Sequence, residues 1–279
     1  MKRLVYPLAI ISILFFACTL STTATPPVIS TVPVTLQPPT ATEPPTMIAT
    51  QAATVTSALQ TNTTCNELAL YLDPTLASGF SCQSVPESAG DANAPGFTVN
   101  PKYTEIKLTG YILPDRFFTP KIDLYPVQRY SELLPDMIPT QVAALQVLIG
   151  GGPTGSKGLP ILPIFNASQE IFAKYQVLPF GSGNGIRYLT QYSQFADPIN
   201  NHEVFYSYQG LTSDGKYWLS AILPISNPLL PADGNNPPNA QSWDSYVAAL
   251  TTQLNSQPLE SYSPAITMLD ALVASITIH

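Results

Sequence analysis

The fold is decided by the stretch EVFYSYQGLTSDGKYWLSAIL, residues 203–223. Two runs of alternating polarity, 203–211 and 216–223, flank the dipeptide Asp214-Gly215, which is typical of a two-residue turn between antiparallel strands. With this dipeptide as the turn, three pairs face each other on one side of the hairpin: Tyr206 with Leu223, Tyr208 with Ala221 and Gly210 with Leu219. The apolar character of these pairs predicts that this side packs on a core.

The opposite side of the hairpin mixes aromatic and polar residues. It carries Phe205, Ser207, Gln209, Leu211, Trp218, Ser220 and Ile222. A mixed side of this kind is either a polar-lined groove or a surface half covered by helices. Both arrangements are compatible with the pattern.

Outward from the hairpin, the chain alternates between strand and helix signals. Alternating residues predict strands over 105–113, 121–125 and 186–194, and apolar residues at helical spacing predict two helices within 130–149, divided at Pro139. The other expected elements are a short helix over 66–72, a helix capped by Ser242, a helix that starts at Ser263-Pro264 and a short strand over 277–279. Strands clustered between helices predict an α+β fold, with helices packed on an antiparallel sheet.

The N-terminal segment 1–17 has the features of a secretory signal peptide: a positively charged start, an apolar run and the small residue Ala17 before a cleavage site. Cys18 follows directly. This arrangement resembles the bacterial lipobox, in which the cysteine thiol takes a lipid and becomes the new N-terminus. Phe15 and Phe16 depart from the preferred leucine and small residue of that pattern. The resemblance implies lipidation at Cys18.

Two other interpretations of the leader stay open: cleavage a few residues later, which gives a secreted protein, and retention as a membrane anchor. The apolar run 4–16 is shorter than the roughly 20 residues that a membrane span needs. Lipidation is the favoured interpretation. It predicts an exported protein that is held at the outer face of the cell membrane, with its domain outside the cytoplasm.

Residues 18–64 are predicted to form a linker between the lipid anchor and the domain. The segment is rich in Thr and Pro and has Glu43 as its only charge. It holds too little clustered apolar surface to offset the entropy of ordering, so we expect a disordered, extended stalk. The remaining residues, 65–279, are sufficient for a single globular domain with its own core.

The chain contains three cysteines. Lipidation of Cys18 leaves Cys65 and Cys82 as a pair, and a disulfide between them would contribute about 3 kcal/mol in the chain-entropy model. Such a bond persists in an oxidising compartment, which agrees with export. The alternative is two buried free thiols.

The charge of the chain excludes one class of partner. The sequence holds 11 basic and 18 acidic residues, and removal of the leader takes away two of the basic ones. A net charge of this sign opposes phosphate backbones and anionic lipid surfaces, so nucleic acid is not an expected partner.

The sequence contains no strong motif for phosphate binding, nucleophilic catalysis or metal binding. The glycine-rich run 150–157 lacks the Gly-Lys-Ser/Thr end of a phosphate-binding loop, His202 stands without a nucleophile motif, and the few His and Cys residues predict no metal. We therefore expect no cofactor and no catalytic residue. A hydrolase that uses two carboxylates from loops is the alternative, with candidates Asp197, Glu203, Asp214 and Asp233.

Four short stretches carry a family likeness: GIRYLTQY at 185–192, INN at 199–201, FYSYQGLT at 205–212 and AILP at 221–224. Together they resemble uncharacterised bacterial lipoproteins with a Thr/Pro-rich stalk, a likeness that implies no particular activity. The hairpin followed by helices and the terminal pattern at 269–276 is similar to the Mog1/PsbP-like fold. That likeness implies binding rather than catalysis.

These observations favour a non-catalytic binding or accessory module. Aromatic residues surround the predicted sheet, and aromatic rings beside amides and a guanidinium bind sugars or protein segments. If the mixed side of the hairpin is open, Trp218, Phe205 and Gln209 line it, and Arg187 borders it. The predicted ligand is a glycan or a surface protein.

Overall fold

A computed structural model describes residues 61–91, 93–155, 158–235 and 242–279. The predicted signal peptide, the lipidation site Cys18 and the predicted stalk up to residue 60 lie outside the described residues. The described part contains ten strands: β1 (Thr63–Cys65), β2 (Leu68–Leu70), β3 (Ala77–Val85), β4 (Tyr103–Tyr111), β5 (Lys121–Pro126), β6 (Ser168–Phe180), β7 (Gly183–Ser193), β8 (Phe205–Thr212), β9 (Tyr217–Pro224) and β10 (Thr277–Ile278).

Four α-helices accompany these strands in the described residues: α1 (Val127–Leu133), α2 (Ile138–Ile149), α3 (Trp243–Ser256) and α4 (Ile266–Ala274). Short 3-10 helices occupy Gly96–Thr98 and Leu259–Ser261. The predicted division near Pro139 is confirmed, because α2 begins one residue before that proline. The Ser242 cap is also confirmed, since its hydroxyl accepts a hydrogen bond from the Ser245 N–H. Helix α4 begins later than predicted.

Seven strands form one antiparallel sheet in the order β3-β4-β5-β9-β8-β7-β6. The predicted hairpin lies inside this sheet as β8 and β9, and its register is confirmed: Tyr206 pairs with Leu223, Tyr208 with Ala221 and Gly210 with Leu219. A hairpin with a neighbour on both sides has no free edge. Its residues are buried on both faces rather than on one, because a hydrophobic core lies on each side of the sheet.

Helices cover both faces of the sheet. Helices α3 and α4 pack over the side that carries Tyr206 and Tyr208, and their apolar residues join the larger core. Helices α1 and α2 pack over the opposite side, where Trp218 belongs to a second core. The α+β prediction is confirmed, and the mixed side of the hairpin is the covered surface of the two alternatives, not a groove.

The second sheet is small, with the order β1-β2-β10. The prediction of a helix over 66–72 is wrong here, because Cys65 pairs with Leu68 across a two-residue turn. Asn66 opens this turn with a φ of 50°, a left-handed conformation that asparagine tolerates better than most residues. Strand β10 pairs with β2, so the C-terminal strand completes the sheet.

The disulfide between Cys65 and Cys82 is confirmed. It joins the last residue of β1 to the middle of β3, and so connects the small sheet to the large one. The folded part includes residues assigned to the linker: β1 begins at Thr63, and the side chain of Asn62 exchanges two hydrogen bonds with the backbone of Leu72, at 2.8 and 2.9 Å.

Candidate functional site: an aromatic pocket

The structure does not open a groove at Trp218, Gln209 and Phe205. Each of the three side chains is 0% exposed. Trp218 Nε1 donates to Gln209 Oε1 at 2.7 Å, and Gln209 Nε2 donates to the hydroxyls of Ser207 and Ser220, both at 3.0 Å. The predicted contact of these residues with a ligand is corrected by this burial: they have no surface to offer and their polar atoms are already paired.

The segment that covers these residues is the stretch around Leu162. Its N–H donates to Gln209 Oε1 at 3.0 Å, and its carbonyl accepts from Gln209 Nε2 and from the Ser220 hydroxyl. The backbone of Leu162 therefore forms hydrogen bonds with the Gln209 amide from the covering segment, while the hydroxyls of Ser207 and Ser220 do so from the sheet. The polar residues on this side of the hairpin hold a covering segment in place.

Arg187 lies on the other face of the sheet, opposite Tyr208. It is 2% exposed, and its guanidinium donates to Asp270 Oδ2 at 2.9 Å and to Gln176 Oε1 at 2.6 Å. The arginine thus joins α4 to β6 and β7. The prediction that Arg187 borders a ligand groove is wrong, because its side chain is buried in an ion pair with Asp270.

A pocket of about 390 Å³ opens at the end of the sheet where β7 ends and β8 begins. We call it the aromatic pocket. Its lining consists of Phe117, Phe118, Phe165, Asn166, Ala167, Tyr192, Ser193, Gln194, Phe195, Asp197 and Glu203. Phe117 is 63% exposed and Phe195 is 74% exposed, so two large apolar rings face solvent here. Such exposure of clustered rings marks an interaction site.

The rings of the aromatic pocket rest on Phe205. Its ring lies 4.5 Å from that of Phe118 and 6.1 Å from that of Phe165, and it is stacked at 6.3 Å with Tyr192. Of the four predicted ligand contacts, Phe205 is thus the one that lies next to the site, as its buried floor. The residues that face the ligand space come from loops and the ends of neighbouring strands.

Two loops meet at the pocket and are tied together. Phe117 and Phe118 belong to the loop 112–120 between β4 and β5, and the Phe117 N–H donates to the His202 carbonyl at 2.9 Å. The partner loop, 194–204, is organised by Asn200, which is 0% exposed. The Asn200 Oδ1 accepts from the N–H groups of His202 and Glu203 at 3.0 and 3.1 Å. The pocket therefore has a defined wall although it is built from loops.

Two of the four candidate carboxylates come together in the pocket. Asp197 and Glu203 both line it and are partly buried. The Ser193 hydroxyl donates to Asp197 Oδ2 at 2.5 Å. The other two candidates lie elsewhere: Asp214 pairs with Lys216 at 2.9 Å in the hairpin turn, and Asp233 accepts from the Asn235 N–H at 3.0 Å. The arrangement places two negatively charged hydrogen-bond acceptors in the wall of a cavity that is otherwise lined mainly by aromatic rings.

A separate charged cluster lies inside the sheet and is closed to the pocket. Asp123, 1% exposed, pairs with Lys121 at 2.6 Å and accepts a hydrogen bond from the Tyr125 hydroxyl at 2.9 Å. Lys121 also approaches Glu105, at 3.5 Å. Burial raises the pKa of Asp123 to about 6 despite the lysine, because desolvation penalises the charged carboxylate more than the ion pair favours it.

Metal ligands do not cluster in the described residues: no group of three His, Cys, Asp or Glu side chains there could hold an ion. The described helices also include none that is both long and apolar enough to cross a membrane. No family model, no curated protein and no solved structure matches the chain.

The rings that make the pocket are not predicted by the sequence pattern. Phe117, Phe118, Phe165 and Phe195 were not among the predicted site residues, since each lies outside the strands. One signal was present: large apolar rings in loops, with Phe195 between Gln194 and Ala196 in a turn-rich run. A phenylalanine in such a setting either folds back onto the core or serves a partner.

Proposed function

We propose that this protein is an exported, lipid-anchored binding module without catalytic activity, and that it holds its ligand in the aromatic pocket. The observation that carries the proposal is the exposure of Phe117 and Phe195 beside two carboxylates in one cavity. Exposed rings offer contact area to a ligand at a low entropic cost, and carboxylates set its orientation. The ligand class is a glycan or a segment of a surface protein.

The position of the pocket within the domain supports display to the outside. The turn between β6 and β7 contacts the small sheet, because the Ile278 N–H donates to the Ser182 hydroxyl at 2.8 Å. That turn and the β8–β9 turn share one end of the large sheet, since the Ser213 N–H donates to the Ser182 carbonyl at 2.9 Å. The aromatic pocket lies at the other end, beyond Phe205.

The small sheet, which contains β1 as well as β10, contacts the Ser182 turn at the end of the large sheet away from the pocket. Strand β8 has eight residues and spans roughly 25 Å at about 3.3 Å per residue. A ligand in the pocket would therefore bind at the end of the large sheet away from this contact.

The binding proposal is tested with the variant Phe195→Ala. Binding to arrays of glycans and of surface-protein segments is measured for the wild type and the variant, and we expect the variant to lose at least about 1 kcal/mol of binding free energy for any true ligand. The matched control is Phe97→Ala, which removes a ring that is 43% exposed outside the pocket. Equal binding by both variants would refute the pocket as the site.

The anchoring part of the proposal rests on the leader and Cys18. Lipid-anchored protein enters the detergent phase on phase separation, and Cys18→Ala should move it to the aqueous phase. The control is Cys82→Ala, which breaks the disulfide with Cys65 and leaves Cys18 unchanged, so that it should still enter the detergent phase. A mature N-terminus at a residue other than 18, determined by mass spectrometry, would rule out the anchor.

A second candidate function is hydrolysis of a glycan, and one observation favours it: Asp197 and Glu203 line the same pocket. Glycosidases need two carboxylates that flank the bond to be cleaved. If the purified protein releases sugar from a glycan, and if Asp197→Asn and Glu203→Gln each abolish release while Asp214→Asn does not, the enzyme replaces the binding module.

A further inference from the structure

The walls of the aromatic pocket consist mainly of aromatic rings and acids, and the side-chain donors that the described lining leaves free are the Asn166 amide and the Tyr192 hydroxyl. Five of its lining side chains are aromatic. Two polar neutral side chains of the lining are already committed: the Gln194 amide donates to the Asn166 carbonyl at 3.0 Å, and the Ser193 hydroxyl donates to Asp197. A neutral sugar hydroxyl is both a donor and an acceptor, so a pocket that mostly accepts satisfies only half of it.

The carboxylates of the pocket also lack an ion-pair partner among the described residues. Neither Asp197 nor Glu203 forms an ion pair with any residue that the structure describes. No Lys, Arg or His belongs to the described lining. The pKa of a further acid, Glu170, is raised mainly by burial and also by the nearby charge of Asp197. The described lining therefore carries negative charge, and Arg116, the residue before Phe117, forms no ion pair with these acids.

We propose that the aromatic pocket binds a lysine side chain of a partner protein. This assignment rests on the proposed function and specifies its ligand. An ammonium group is a pure donor with three N–H bonds, which complements a pocket that offers acceptors. Its charge is attracted by the carboxylates and by the faces of aromatic rings.

The stem of lysine fits the same pocket. Its four methylene groups bury along apolar surface while the charged head reaches polar atoms, and the exposed rings of Phe117 and Phe195 offer that surface. The cavity of about 390 Å³ falls within the range of sites for small ligands, so one side chain with its flanking backbone can enter it. Phe205 and Tyr192 stack on each other, and both contact the ring of Phe165 in the pocket wall.

The experiment compares two probes that differ only in the side-chain ammonium group: Nα-acetyl-lysine methylamide and Nα-acetyl-norleucine methylamide. Binding to the full chain is followed by NMR titration, and the lysine probe should bind about tenfold more tightly. Glu203→Gln should lower the affinity for lysine about fivefold and leave that for norleucine unchanged. Glu260→Gln makes the same change of charge at an exposed site on the 3-10 helix Leu259–Ser261 and should have no effect.

Other sources of an organic cation are tested with choline and glucosamine. Tighter binding of either than of the lysine probe would overturn the assignment to a protein side chain. Equal affinities for the lysine and norleucine probes would overturn the assignment of the ligand as a cation. If a neutral glycan then binds and Phe195→Ala abolishes that binding, the binding module stands and the lysine inference alone fails. If no ligand of any class depends on Phe195, the proposed function fails as well.

Discussion

The interior around Trp218 and the aromatic pocket both combine aromatic rings with polar side chains, but the first is closed to solvent and the second is open to it. Around Trp218, an indole, a glutamine and two serines form a closed network in which each polar side chain has a partner. In the pocket, rings face solvent, and two carboxylates have no ion-pair partner among the described residues. The comparison shows that exposed rings and carboxylates without an ion-pair partner distinguish the pocket from the closed interior around Trp218.

The difference arises from where each group lies on the sheet. Trp218 lies on β9, between β5 and β8, and is covered by α1, α2 and the segment around Leu162. The pocket lies where the strands end, and loops replace helices as the cover. Loops present side chains without burying them, because their own backbone must stay near water.

The largest expected effect belongs to Trp218→Ala. Removing a fully buried indole leaves a cavity and takes away the donor to Gln209, so the free energy of unfolding should fall by about 3–5 kcal/mol. Chemical denaturation of the purified protein measures this loss. The variant Trp218→Phe keeps a ring and should cost less, about 1–2 kcal/mol. A stable Trp218→Ala protein with altered ligand binding would break the comparison.

An intermediate effect is expected from pH acting on Asp123. Its pKa of about 6 in the folded protein lies above its ordinary value of 3.8, so the folded state retains a proton that the unfolded state has released. This group therefore contributes stability below about pH 4 that is lost as the pH rises through 6, on the order of 2 kcal/mol.

The measurement for Asp123 is the free energy of unfolding from pH 4 to pH 7 for the wild type and Asp123→Asn. Acids remote from Asp123, such as Asp214, cancel in the difference between the two curves, whereas Glu105 acts on Asp123 directly. That difference should fall as the pH rises, because only the wild type loses the protonated carboxyl. Parallel curves would show that Lys121, 2.6 Å away, fully compensates the buried charge.

The smallest effect on stability is expected in the pocket. Phe195→Ala removes a ring that is 74% exposed, so the free energy of unfolding should change by no more than about 0.5 kcal/mol. The same denaturation experiment as for Trp218 applies. A loss of several kcal/mol would mean that Phe195 is part of the core, and it would remove the distinction between the two regions.

Local signals were sufficient to predict the centre of the sheet. The Asp214-Gly215 turn and the alternation around it determine the register of β8 and β9 within one hairpin. The same holds for α3, whose cap and apolar spacing are contiguous in the chain. These features depend on neighbours a few residues apart, which a sequence displays directly.

Features that depend on distant partners were not predicted. The sequence predicts a helix in place of β2: the tight turn to β1 is local, but the other partner of this three-residue strand, Thr277 of β10, lies about 200 residues away. Strand β3 is a mostly exposed edge strand with small polar residues, and β6 is interrupted by register shifts, so neither alternates cleanly. The burial of Trp218 is set by the segment around Leu162, and the pocket by two loops that meet only in the folded chain.

The disulfide has a mechanical consequence. Tension applied through the chain that precedes Thr63 first reaches β1, and at Cys65 it passes across the bond to Cys82 in the large sheet. The 16 residues between the two cysteines, which include β2, are thereby excluded from the covalent load path. Pulling can detach β1 only up to Cys65, after which the load is shared by the ladder between β3 and β4. A reduced domain would instead yield strand by strand from its N-terminal edge.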